Sequence, residues 1–209
     1  MKPVKPVKLT ARTSLIDVAF AVGDALRAAG IRAVLTGGAC VTLHTDAAYV
    51  SHDLDFVLQK VSSPDQLDDA LGTLGFRRVG NQYMHADTRF YVEFPPGPLA
   101  IGGDYGVKPV ELRKGRSAVL VLSPTDSCMD RLAAFYHWRD RQSLLLAVAV
   151  ARHRKVDLDR IAKWSRAEGH ELSYQEFLFT ASGAFRGSGP PYGKRGQTPA
   201  RLRPRRRLA

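Results

Sequence analysis

The sequence predicts an α/β (α+β) domain with a mixed sheet, followed by a C-terminal helical bundle and a disordered basic tail. Three observations carry that assignment. Short β-branched runs alternate with helical patterns up to residue 122, and from Ser123 to Ser182 almost every window has the helical period. From Gly183 onward the chain is rich in glycine, proline and arginine. The expected units are therefore residues 1–122, 123–182 and 183–209.

The elements follow in order. Thr13–Ala29 places Leu15, Val18, Ala19, Val22, Leu26 and Ala29 at helical spacing, and Gly30 closes the helix. Ile31–Thr36 is a β-branched run that ends in Gly37-Gly38, and a short helix continues through His44. Asp53–Leu58 alternates acid and apolar residues, a strand with both carboxylates on one face. Ser63-Pro64-Asp65-Gln66 reads as a capping box with proline in the first turn, and Gly75 ends that helix. Phe76–Val79, Tyr83–His85 and Arg89–Phe94 form a strand meander; Val107–Leu112 and Ala118–Leu122 add two strands around a Lys114-Gly115 turn. Ser123-Pro124-Thr125-Asp126 opens the helical half. It continues through Leu132–Trp138, Leu144–Arg152, Leu158–Ala167 and a last helix from Ser173. Trp138 and Trp164 occupy apolar helical positions and read as core.

Composition bounds the function. A chain of 209 residues with 44% hydrophobic content can bury a core, so wholesale disorder is excluded. The longest strongly apolar run, Leu144–Ala151, is far short of a membrane span. No apolar block near the start ends at a cleavage-like site. Cys40 and Cys128 are too few for a disulfide framework and suit a reducing compartment. The expectation is a soluble cytoplasmic protein with no membrane partner. The net charge of +11 is concentrated in the tail, where Gly183–Ala209 holds eight cations and no acid, leaving +3 for the rest. The tail suits RNA or DNA phosphates by counterion release; a solubilising extension is the alternative reading.

The chemistry is concentrated in Ala33–Leu58. Two glycines at a strand end let the backbone approach a phosphate and open a helix whose N–H groups face it. Asp53 and Asp55, side by side on a strand flanked by Val50, Leu54, Phe56, Val57 and Leu58, repel each other unless a hard divalent cation lies between them. Magnesium in that position can bridge carboxylates and triphosphate oxygens. His52 points to the opposite strand face and is expected to be packed. Cys40 lies near a helix N-terminus, an environment that lowers a thiol pKa, but has no identifiable base.

Thr36-Gly37-Gly38, a spacer of 14 residues and Asp53-Leu54-Asp55-Phe56 together resemble the nucleotidyltransferase superfamily of DNA polymerase beta and kanamycin nucleotidyltransferase. Gly37-Gly38-Ala39-Cys40 and Ser51-His52-Asp53-Leu54-Asp55 look most like the small bacterial abortive-infection and type IV toxin nucleotidyltransferases. The polar Thr36 and the long spacer depart from the pattern. The resemblance covers about residues 31–140. It implies a Mg2+-dependent enzyme that moves a nucleoside monophosphate from a nucleoside triphosphate to a hydroxyl acceptor. The basic tail makes RNA, such as a tRNA end, a natural acceptor, with a protein or a small molecule as the alternatives. In that scheme Gly37, Gly38 and Ser51 hold the β/γ-phosphates, and Asp53 and Asp55 bind metal. A third carboxylate comes from a later strand; Glu93 is the first candidate and Glu111 the second. Arg131 would clamp phosphate, with Arg139 or Asp140 lining the cleft and Lys108 or Lys114 as further phosphate contacts. The rival readings are a catalytically degenerate nucleotide- or nucleic-acid-binding protein, and a toxin–antitoxin component acting through a protein partner.

Overall fold

The computed structural model describes residues 8–183. The expected tail, 183–209, lies outside the described residues except for Gly183. Among the described residues the chain forms seven helices and one seven-stranded mixed sheet. The order is α1 (Leu15–Ala28), β1 (Ala33–Leu35), α2 (Gly37–His44), β2 (Asp53–Leu58), α3 (Pro64–Gly72), β3 (Phe76–Val79), β4 (Gln82–His85) and β5 (Tyr91–Glu93). There follow β6 (Val110–Lys114), β7 (Ser117–Val121), α4 (Pro124–Trp138), α5 (Arg141–His153), α6 (Leu158–Ala167) and α7 (Glu171–Ala181).

Local chemistry sets the helix starts. Ser14, Ser63 and Ser123 each accept a backbone N–H three residues on, and Ser63 with Gln66 completes the reciprocal capping box. The last helix begins at Glu171 rather than Ser173, behind His170, which makes no side-chain cap. The strand expected at Val107–Leu112 instead begins at Val110: Pro109 has no N–H for the ladder, and the β6–β7 hairpin closes at Gly115-Arg116.

The sheet order is β3-β4-β5-β2-β1-β7-β6. The meander β3-β4-β5 is antiparallel, and β5 then lies parallel to β2. On the other side of β2, β1 is antiparallel and bridges to β7, which pairs with β6. The acidic strand is therefore central. Leu54 and Phe56 are fully buried on one of its faces, while Asp53 and Asp55 are half-buried on the other. Burying each large apolar side chain stabilises the fold by about 1.5–3 kcal/mol, so the pleat fixes which way the acids point.

One hydrophobic cluster runs from α1 and the strands into α4–α7. Trp164 belongs to it and donates its indole N–H to the Ile101 carbonyl at 3.2 Å. Trp138 does not: it is 77% exposed at the last position of α4, because the bundle ends before it. His52, expected to be packed, is also exposed, since it precedes the ladder of β2. No described helix is long and apolar enough to cross a membrane.

Candidate active site

Register brings the acids together. In the parallel β2–β5 pair, Asp53 stands opposite Tyr91 and Asp55 opposite Glu93. Facing residues of a parallel pair project to the same side, so two aspartates, a glutamate and a phenol share one half-buried surface. Glu111 does not reach it. It lies on the edge strand β6, three strand spacings or roughly 14 Å from β2, and pairs with Arg113.

The close packing of α2 against β2 shapes the other wall. Gly37 has φ +63°, and a Cβ there would lie 2.5 Å from Asp55 Oδ2. A Cβ on Gly38 would lie 2.7 Å from Ser51 Oγ. A side chain at either position would press on the site itself, and at Gly37 the left-handed backbone adds to the cost. The Ser51 hydroxyl is buried and donates to Asp53 Oδ1; the Ser51 N–H donates to Thr42 Oγ1 at 3.2 Å. Ser51 therefore orients the first aspartate.

Electrostatics follow from this crowding. Burial, then the charges of Asp53 and Glu93, push the Asp55 carboxyl up to about 7, with Arg131 partly offsetting them. The Tyr91 phenol is also pushed up, first by burial and then by Asp53, Glu93 and Asp55. Arg131, on α4, holds Asp130 Oδ2 through both Nε (2.8 Å) and a terminal nitrogen (2.7 Å). Burial works against its charge, and Asp130 and Asp55 outweigh that and raise its pKa.

The other expected contacts fall elsewhere. Lys114 pairs with Asp17 of α1 at 2.6 Å, near the far edge of the sheet, and Lys108 is exposed in the preceding loop. Asp140 caps α5 through Gln142 N and Ser143 Oγ, close enough to Arg131 to feel its charge. Arg139 is exposed with a left-handed backbone. Cys40 is fully buried, and burial pushes its thiol up to about 12, opposite to the effect expected from a helix N-terminus.

The oxygen-only, mutually repelling donor set suits a hard divalent cation, and the raised Asp55 pKa marks the charge such an ion would neutralise. As they stand, no three His, Cys, Asp or Glu side chains among the described residues are gathered tightly enough to hold one. Gln82, opposite Glu93 in the β4–β5 register, donates through Nε2 to Glu93 Oε1 at 2.6 Å. Sequence reasoning missed Gln82, whose position depends on cross-strand register, whereas the alternation of Arg89–Phe94 already puts Tyr91 on the face of Glu93. Beyond Glu93 a hollow opens at the end of β5, walled by Tyr83, Phe94, Pro95 and Pro96.

The strand-borne Asp-x-Asp, the Gly-Gly helix start and the acid in register on the adjacent parallel strand meet on one side of this mixed α/β fold. The solved structures agree on the fold. The chain is similar to an antigenic nucleotidyltransferase-like protein from Paracoccidioides brasiliensis, with a TM-score of 0.54 and 15% identity over 84% of this chain and 90% of that one. At that identity the likeness is one of fold. No protein-family model matches the sequence, and no curated protein matches it.

Proposed function

We propose that the protein is a Mg2+-dependent nucleotidyltransferase that transfers a nucleoside monophosphate from a nucleoside triphosphate to a hydroxyl acceptor. One observation carries the reading: Glu93 stands in register with Asp55 on the neighbouring parallel strand, on the same face as Asp53. Asp53, Asp55 and Glu93 would hold the metal, which when bound supplies positive charge for the triphosphate. The N-terminus of α2 at Gly37-Gly38 presents backbone N–H groups to the phosphates. Ser51 keeps Asp53 oriented, and Arg131 supplies a fixed positive charge beside Asp55. The acceptor oxygen forms a bond to the α-phosphorus, the bond from that phosphorus to the β-bridging oxygen breaks, and pyrophosphate leaves. Glu93 takes the acceptor proton in this scheme.

RNA is the acceptor that the cationic tail favours, since eight positive charges without an acid attract a polyanion. The test incubates the full chain with Mg2+, total RNA and each nucleoside triphosphate labelled at the α- or γ-phosphate. Label from the α-position alone should become covalently attached to RNA. Nucleotide binding without any transfer to RNA or protein would leave a nucleotide-binding protein in place of an enzyme.

A further inference from the structure

We propose that Trp138 is the stacking platform for the nucleobase of the bound nucleotide. This rests on nucleotide binding at Asp53 and Asp55, and it assigns the base end of that ligand. Trp138 is 77% exposed, and its indole meets the edge of His137 at 6.2 Å between ring centroids. An exposed indole offers a broad ring face of the kind on which a base stacks.

Helical phase places it. At 100° per residue, Ser127, Arg131 and Trp138 fall on one stripe of α4. Ser127 lies against Cys40 of α2 and Arg131 beside Asp55. The helix thus travels from α2 past the carboxylates, and Trp138 lies seven residues, or about 10 Å, further along the same stripe. That separation is comparable with the reach of a nucleotide from its outer phosphates to its base. The chain leaves α4 at Arg139, an exposed non-glycine residue held at φ +53°. Asp140 follows, within the field of Arg131. An indole face offers stacking area without hydrogen-bond readout, so the site should accept all four bases and favour purines over pyrimidines.

The test compares two ligands, MgATP and magnesium inorganic triphosphate, by calorimetry on the full chain and on Trp138→Ala and Trp138→Phe. Trp138→Ala should weaken ATP binding about tenfold, the weight of one base on an aromatic ring. It should leave triphosphate binding unchanged, and Trp138→Phe should retain most of the ATP affinity. ATP should also quench tryptophan fluorescence in the unmodified chain, and that quenching should disappear in Trp138→Phe. Equal ATP affinity in the unmodified chain and Trp138→Ala overturns the assignment while leaving the phosphate site intact. Failure of the unmodified chain to bind either ligand overturns the phosphate site and Trp138 together.

Discussion

Asp55 concentrates the physical tension of the molecule in one side chain. Its carboxyl titrates near 7 in the folded protein against an ordinary value of 3.8, because burial and the two neighbouring acids disfavour the charge. Between those values the native state holds a proton that the unfolded chain has released. The stabilising contribution is therefore complete below about pH 4 and is lost as pH rises through 7, at no more than about 1.4 kcal/mol per pH unit. Thermal melts of metal-free protein in chelator should show this as a fall in Tm between pH 4 and 7. Asp55→Asn should flatten the fall and melt higher at pH 8; identical pH profiles for the two proteins would refute the assignment. Asp53 and Asp55 were legible because alternation in a strand fixes their shared face. The same alternation puts Tyr91 on the face of Glu93, but Gln82 was not legible, since local sequence carries no cross-strand register. Trp138 has the spacing of a core residue, and only its place at the end of the bundle leaves it exposed.

The elements nearest the site are built around close approach. All eight residues of α2 are buried, and the helix starts where Gly37 touches Asp55. Gly37→Ala combines left-handed strain of roughly 1–2 kcal/mol with a direct clash on the carboxylate. Gly30 also has positive φ, at +72°, but a Cβ there would meet nothing within 4 Å. Gly30→Ala thus measures the strain alone. Gly37→Ala should lose more stability than Gly30→Ala by denaturant titration and should also lose nucleotide affinity, whereas Gly30→Ala should keep it. Equal effects of the two substitutions would remove the Gly37–Asp55 contact from the explanation. At this scale the sequence was most informative where capping serines or alternating strands set the structure. It was least informative at β6, where Pro109 delays the ladder, and at β5, where Arg89 and Phe90 remain outside it.

At the scale of the whole molecule, the α/β half and the helical half share one core, and the loop after β5 is fastened to the bundle. Glu168 Oε1 accepts the Gly103 N–H at 2.8 Å, Trp164 holds the Ile101 carbonyl, and Arg160 reaches both Asp104 at 3.3 Å and Asp126 at 2.7 Å. Asp126 is 1% exposed, and its Oδ1 makes no well-aligned hydrogen bond, so it depends on the charge of Arg160. Arg160→Ala strands that carboxylate and should destabilise the chain by about 3 kcal/mol, read as a lower denaturation midpoint. Arg160→Ala paired with Asp126→Asn should recover part of the loss, and no recovery would show that the pair is uncoupled. The change from mixed α/β texture to continuous helix at Ser123 was visible in the sequence. The fastening was not, because its partners are separated by 34 to 65 residues and meet only in the packed molecule. The most direct test of the proposed nucleotide site is calorimetric titration of MgATP into the full chain and into Asp53→Asn/Asp55→Asn. Binding should require Mg2+ in the unmodified chain and vanish in the double variant while its circular dichroism stays unchanged. Equal affinity in the two proteins would contradict the site.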